Sequence, residues 1–110
     1  MKLSVGERLV LLSILPPEGG LRTMRVIHDL RMILALTDKE VKEWEITDQI
    51  GPDGRPVGVK WNDEKVQEVD MDVEGVRTEI IVQALRKLDT DKKLSLQHLT
   101  LCEKFPIEKT

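Results

Sequence analysis

The spacing of apolar residues in the first third of the chain predicts two helices. The capping-box pattern Ser4-Val5-Gly6-Glu7, in which each end side chain satisfies a free backbone N–H, precedes an apolar run that ends at Pro16. This pattern predicts a helix over residues 4–15, and the width of its apolar surface places it at the centre of the core. A stripe at helical spacing predicts a second helix over residues 21–36, and its members are Met24, Ile27, Leu30 and Leu34.

In the middle of the chain the apolar period changes from helical to alternating. A second capping box, Thr37-Asp38-Lys39-Glu40, begins a short helix to Glu43. Two alternating stretches then flank a turn-rich segment, residues 51–56, and predict a β-hairpin with Trp44 and Trp61 on one apolar face. We expect both tryptophans to lie in the core. A third strand is predicted where apolar residues alternate with acidic ones, at Val69, Met71 and Val73.

The last third of the chain predicts two more helices. An apolar stripe covers residues 75–88, and Ser95 begins a short helix whose stripe comprises Leu96, Leu99, Cys102 and Phe105. We expect residues 106–110 to form a loose tail. The order of elements predicts a single α+β domain over residues 1–110, with a three-stranded antiparallel meander packed against about four helices.

Composition limits the chemistry that the chain can perform. Cys102 is the one cysteine, so no intrachain disulfide can form, and the apolar run near the N-terminus is too short to cross a bilayer. We therefore expect a cytoplasmic protein with no membrane segment. His98 and Cys102 would share one helix face, but zinc needs three or four ligands. Because the sequence has no phosphate-loop, dinucleotide-binding or nucleophile-elbow pattern, it predicts a non-enzymatic protein with no catalytic residue, cofactor or metal site.

Charge is distributed unevenly along the chain. Residues 37–74 carry five basic and twelve acidic side chains, a net charge of −7, whereas the segments before and after each carry +2. Part of this excess is a row of carboxylates at alternating positions, which we expect on the solvent face of the third strand: Glu68, Asp70, Asp72 and Glu74.

The carboxylate row has three interpretations. It can be a solvated strand face that resists edge-to-edge aggregation, a docking surface for a protein with a basic surface, or a cation site, which a straight row disfavours because ligands must converge. The second interpretation predicts a small protein-binding or regulatory protein that uses its acidic sheet face. It requires that the carboxylates are not paired with lysines and arginines of the same chain.

A DNA-binding regulator of the winged-helix type is the alternative function, because helices followed by a hairpin are typical of that fold. Arg22, Arg25 and Arg31 on the second predicted helix would then contact phosphates. Against this, the hairpin that would form the wing lies in the acidic third of the chain. Nucleic acid is therefore the less favoured partner.

Three stretches resemble small uncharacterised proteins encoded by tailed phages and prophages: Lys2-Leu3-Ser4-Val5-Gly6-Glu7-Arg8-Leu9-Val10-Leu11-Leu12, Val59-Lys60-Trp61-Asn62 and Leu99-Thr100-Leu101-Cys102-Glu103-Lys104-Phe105. The resemblance is one of general pattern over most of the chain. It implies a phage or prophage setting, in which small acidic-surfaced proteins often bind a host or viral protein. It implies no catalytic residue.

A gel-shift titration tests the DNA-binding alternative. We expect micromolar protein not to retard a DNA duplex at low salt, because the acidic third of the chain repels phosphates. Retardation that disappears when Arg22, Arg25 and Arg31 are all replaced by alanine would instead support DNA binding.

Overall fold

Five helices and two small antiparallel sheets make up the fold within residues 1–105 and 107, which are the residues that the computed structural model describes. In chain order the elements are β1 (Lys2–Leu3), α1 (Val5–Ile14), α2 (Leu21–Leu34), α3 (Asp38–Glu43), β2 (Thr47–Ile50), β3 (Pro56–Lys60), β4 (Val69–Asp70), α4 (Val76–Thr90) and α5 (Leu96–Lys104). The α+β class predicted from the sequence is confirmed. Most of the predicted tail, residues 106 and 108–110, lies outside the described residues.

Both predicted capping boxes form and set where helices begin. The Ser4 hydroxyl accepts the Glu7 N–H at 3.1 Å, and the Glu7 carboxylate accepts the Ser4 N–H at 2.9 Å. The same reciprocal pair joins Thr37 and Glu40 at the start of α3. Local sequence therefore fixes these two helix starts, because each cap satisfies backbone donors that have no partner within the helix.

The predicted three-stranded meander is not confirmed. β2 and β3 form an antiparallel hairpin, but β4 pairs with β1 in a separate sheet, with Lys2 opposite Asp70 and Leu3 opposite Val69. The regular pairing of β4 covers two residues, after which Met71 and Val73 turn into the core. A two-residue strand at the N-terminus has no period that a sequence pattern can reveal, so the true partner of β4 was missed.

The hairpin extends away from the helices. All residues of β2 are exposed, and in β3 only Val59 is partly covered. The radius of gyration, 14.8 Å, exceeds the roughly 13 Å typical of a compact chain of this length, as a projecting arm requires. Gly54, with φ of +79°, lies in the turn between the strands, where a side chain would strain the backbone.

The two tryptophans do not share one buried sheet face. Trp44 ends α3, where its N–H donates to the Glu40 carbonyl at 2.9 Å, and its side chain is buried. Trp61 follows β3, is half-buried, and lies against Gly6 of α1. The expectation that both would lie in the core is correct for Trp44 alone.

The main core cluster is aliphatic apart from Phe105, in keeping with the scarcity of aromatic residues, and the buried Trp44 lies outside this cluster. α1 packs against α2, α4 and α5, which confirms its predicted central position. Apolar side chains from these helices and from the segments around β1 and β4 form one cluster: Leu3, Leu11, Leu15, Ile27, Leu30, Leu34, Met71, Val73, Ile80, Ile81, Leu85, Leu101 and Phe105.

Arg8 of α1 is the most deeply buried charged side chain among the described residues, with 1% of its surface exposed. Its Nη1 and Nη2 bind the two carboxylate oxygens of Glu40 at 2.8 and 3.0 Å. Its Nε donates to the Leu34 carbonyl at 3.1 Å, and Nη2 also donates to the Ala35 carbonyl at 2.7 Å. One guanidinium therefore joins α1 to the C-terminus of α2, whose carbonyls carry partial negative charge, and to the start of α3.

Replacing Arg8 by methionine should lower the free energy of unfolding by about 3 kcal/mol, because the change leaves Glu40 and two carbonyls without their donor. The measurement is urea denaturation followed by circular dichroism. The double variant Arg8→Met/Glu40→Met should recover part of the loss, since no unpaired charge remains. The matched control is Arg31→Met on the exposed surface of α2, and an equal loss in both single variants would contradict the role of Arg8.

Candidate functional site

The predicted carboxylate row is largely paired with cations of the same chain. Glu68 binds Lys104 Nζ at 2.7 Å, Asp70 binds the N-terminal ammonium at 2.8 Å, and Asp72 binds Arg77 at 3.0 Å. The hydrogen bond from the N-terminal ammonium lowers the pKa of Asp70. Three of the four acids therefore fail the condition that a docking surface for a basic partner requires, and Glu74 is exposed beyond the end of β4.

The three arginines of the DNA-binding alternative are exposed on α2 but do not form one face. At about 100° per residue, Arg22 and Arg25 lie about 60° apart around the helix axis, whereas Arg31 lies about 180° from Arg22. One nucleic-acid backbone cannot contact all three side chains from the same side of this helix. The structure therefore does not bring these residues together as a site.

A groove that the sequence pattern did not predict lies between α1, α5 and the end of β3. Its volume is about 660 Å³. Most of its wall is apolar, with hydroxyl and amide side chains and one carboxylate among the lining residues: Ser4, Gly6, Glu7, Leu9, Val10, Ser13, Val59, Trp61, Leu96, Gln97 and Thr100. We call this the apolar groove.

The outer side of α1 forms the floor of the apolar groove. Gly6, Leu9, Val10 and Ser13 recur at helical spacing, about half a turn away from the buried Arg8 and Leu15. Small residues at Gly6 and Ser13 leave room there, and the edge of the Trp61 ring approaches Gly6. The wide apolar surface of α1 therefore serves two sides, one for the core and one for the groove.

The α5 wall of the groove and the strand beside its other wall carry apolar side chains that are exposed in this structure. Leu96, in the lining, is 87% exposed. Val57 of β3 lies two residues before the lining residue Val59, on the same side of the strand, and is 70% exposed. Large apolar residues gathered around a concave surface are typical of binding sites rather than of a solvated exterior.

The predicted stripe of α5 was wrong for Leu96 and Leu99, which is why the groove was missed. These two side chains are exposed, whereas Phe105 is buried as predicted and His98 and Leu101 are buried with it. Two stripes at helical spacing compete in this helix, and packing against α1 selects the second. The buried His98 has a local role, because its Nδ1 accepts the Ser95 N–H at 2.9 Å at the start of the helix.

A smaller charged cavity of about 360 Å³ adjoins the apolar groove and shares Ser4, Glu7 and Thr100 with it. Its charged lining consists of Glu7, Glu68, Glu103 and Lys104, a net charge of −2 when all four are ionised. We call these four residues the acidic end. Lys104 Nζ donates to Glu7 Oε1 at 2.7 Å, to Glu68 Oε2 at 2.7 Å and to the Lys2 carbonyl at 2.8 Å.

Glu7 is the buried charge at the junction of the two cavities, with 7% of its surface exposed. Burial raises its pKa, but hydrogen bonds from Lys104 and Ser4 and the nearby Thr100 side chain outweigh burial, so the pKa of Glu7 is lowered. Burial lowers the pKa of Lys104, and its bonds to Glu68 and Glu7 outweigh this and raise it. Both groups are charged at neutral pH. Lys104 and the Ser4 N–H both bind Glu7 Oε1, whereas the buried Oε2 has no donor within hydrogen-bond distance among the described residues and only the weaker influence of Thr100 on the carboxylate.

The described residues do not offer a metal centre or a membrane span. No three histidine, cysteine, aspartate or glutamate side chains among them are grouped so as to hold a metal ion. Within the same residues, no helix combines the length and apolar character needed to cross a bilayer. At the acidic end, the Lys104 ammonium already lies between two of the carboxylates.

Acid should destabilise the protein through Glu7 and Glu40. Hydrogen bonds from Arg8 are the largest influence on the pKa of Glu40 and lower it from the ordinary value of 4.5. The pKa of Glu7 is lowered from the same value. The two carboxylates therefore stabilise the folded state fully when the pH is above their pKa in the unfolded chain. This stabilisation is lost as the pH falls through their lower pKa values in the folded protein.

Urea denaturation across a pH series measures this loss. The free energy of unfolding should fall steadily below about pH 4.5, and Glu40→Gln should fall less over that range because it has lost one of the shifted carboxyls. Glu18→Gln, in the exposed turn before α2, is the control and should follow the original protein. Parallel pH profiles for Glu40→Gln and Glu18→Gln would contradict the assignment.

Comparison with known proteins adds no relative from which a function could be carried over. No family model, curated protein or solved structure matches this chain. The resemblance to phage and prophage proteins stays a prediction, and the function is argued from the geometry of the apolar groove.

Proposed function

We propose that this chain is a small, non-enzymatic, cytoplasmic protein-binding protein that docks its partner in the apolar groove. The observation that carries the proposal is the exposure of Leu96 on one wall of the groove and of Val57 on β3 next to the other wall. In the isolated chain these exposed side chains contribute little hydrophobic stabilisation. Burial against a partner would stabilise a complex by about 25 cal/mol for each Å² of apolar surface removed from water.

A protein suits this surface better than a small ligand does. Val57 lies two residues along β3 from Val59 of the groove lining, so exposed apolar surface extends past the groove along an extended strand, as a bound polypeptide segment would use it. Trp61 is half-buried in the wall and provides a rigid aromatic anchor of the kind that dominates binding energy. In the described part of the chain, each hairpin strand has only one neighbouring strand, so an added strand can pair with a free edge.

The pairing of the carboxylate row supports placing the docking surface elsewhere. A basic partner at Glu68, Asp70 and Asp72 would only exchange three ion pairs within the chain for three similar ones, so it would gain little. A groove of this kind suits a phage or prophage protein that binds a host or viral protein. No observation favours the DNA-binding alternative.

Replacing Leu96 by glutamate should abolish partner capture without unfolding the chain. The side chain is almost wholly exposed, so the change leaves the core intact but puts a charge into the groove wall. We expect capture to fall by at least about tenfold, the effect of losing one apolar hot spot. The measurement is affinity capture from a lysate of the source cells, quantified by mass spectrometry against the original protein.

Two further variants make this experiment decisive. Met32→Glu, at an exposed methionine of α2, carries the same charge change and should capture the partner normally. The triple variant Glu68→Lys/Asp70→Lys/Asp72→Lys tests the carboxylate row. If Leu96→Glu keeps the partner and the triple variant loses it, the row is the docking surface and the groove is not.

A further inference from the structure

We infer that the partner segment that fills the apolar groove joins a bulky apolar side chain to a lysine or arginine two residues away. The inference rests on the proposed function and specifies the chemistry of the partner. It follows from the apolar groove and the acidic end being adjacent and sharing the buried Glu7. A ligand that occupies both cavities must therefore be apolar at one point and positively charged at the next.

The charges of the acidic end favour a cation. Three carboxylates face one ammonium there, and the Lys104 ammonium is occupied by Glu7, Glu68 and a backbone carbonyl. All three donors of that ammonium are therefore engaged, so it cannot also donate a hydrogen bond to Glu103. An incoming basic side chain brings the net charge of the acidic end from −2 to −1.

The buried oxygen Glu7 Oε2 is a second feature that favours a hydrogen-bond donor on the partner. This oxygen belongs to a carboxylate whose pKa is lowered, and it is shielded from solvent. Lys104 and the Ser4 N–H both bind Oε1, so among the described residues no charged donor lies within hydrogen-bond distance of Oε2, and the Thr100 side chain is the one other group among them that acts on the carboxylate. A buried acceptor of this kind lacks the stabilisation that a hydrogen bond from a charged group supplies. An ammonium or guanidinium that enters beside Thr100 would bring a donor to the side of the carboxylate that Lys104 leaves uncovered.

The spacing follows from the form of the bound segment. In an extended chain, residues i and i+2 point to the same side and lie about 7 Å apart. The apolar groove and the cavity at the acidic end share wall residues, so we take their separation to be close to this distance. When residue i of the peptide occupies the groove, residue i+2 therefore lies at the acidic end. The recognised pattern is therefore apolar-x-basic, read in either chain direction.

Peptide display tests this inference directly. Short random peptides are selected on the full chain, and the selected peptides are located by the chemical shifts of the chain's amides. We expect peptides with the apolar-x-basic pattern to be enriched and to shift the signals of Leu96 and Thr100. Each enriched peptide is then compared with a copy in which norleucine replaces the basic residue.

Variants of the acidic end provide the quantitative test. Glu103→Lys should weaken binding of the basic peptide about three- to fivefold, as expected for a partly exposed ion pair. It should leave the norleucine copy unchanged. Glu18→Lys makes the same change of charge far along the chain from the site and should alter neither affinity. Glu7→Gln keeps the capping pattern and should weaken the basic peptide about tenfold, because a charge-assisted hydrogen bond is lost.

The outcomes separate this inference from the proposed function. If enriched peptides occupy the groove without any basic residue, or if Glu103→Lys and Glu18→Lys act alike, the inference fails while the groove remains a protein-docking site. If no peptide contacts the groove, both fail. If sedimentation shows a dimer in which Leu96→Glu restores the monomer, a second copy of the chain is the occupant and the inference is overturned.

Discussion

The buried guanidinium of Arg8 is the interaction on which the arrangement of helices depends. It satisfies two carbonyls at the C-terminus of α2 and both oxygens of the glutamate that caps α3. A charge with 1% exposure is tolerated only because these acceptors replace water around it. The result is that α1, α2 and the start of α3 meet in one fixed geometry, which an apolar side chain at this position would not specify.

The groove lies on the side of α1 that faces away from Arg8. With Arg8 and Leu15 held toward α2 and the core, the opposite side of α1 faces outward between α5 and Trp61. That side carries Leu9 and Val10 between two small residues, so it forms a concave apolar floor. The groove therefore lies on the side of the central helix opposite to its buried charge.

Lys104 has a corresponding role on the other side of α1. Its ammonium joins β1, α1, α5 and the residue before β4 through one carbonyl and two carboxylates. The N-terminal ammonium adds a second link by binding Asp70 and the Met71 carbonyl. Acidic residues that the sequence predicts as a solvent-facing row thus hold the N-terminal strand in place. The negative charge that a partner could contact lies instead at the acidic end, beside the groove.

Local pattern alone determined the helices and the α+β class of this protein. Capping boxes and helical stripes act over a few residues, so helix starts at Ser4 and Thr37 and the central position of α1 followed from the sequence. The hairpin also followed, because its turn residues and alternating strands are adjacent in the chain. Only the tertiary structure decided that β4 pairs with β1, that α5 buries Leu101 rather than Leu99, and that three acids of the predicted row have partners. Each of these depends on residues distant in the chain, and a local period cannot show which of two acceptable faces or partners the packed core will select.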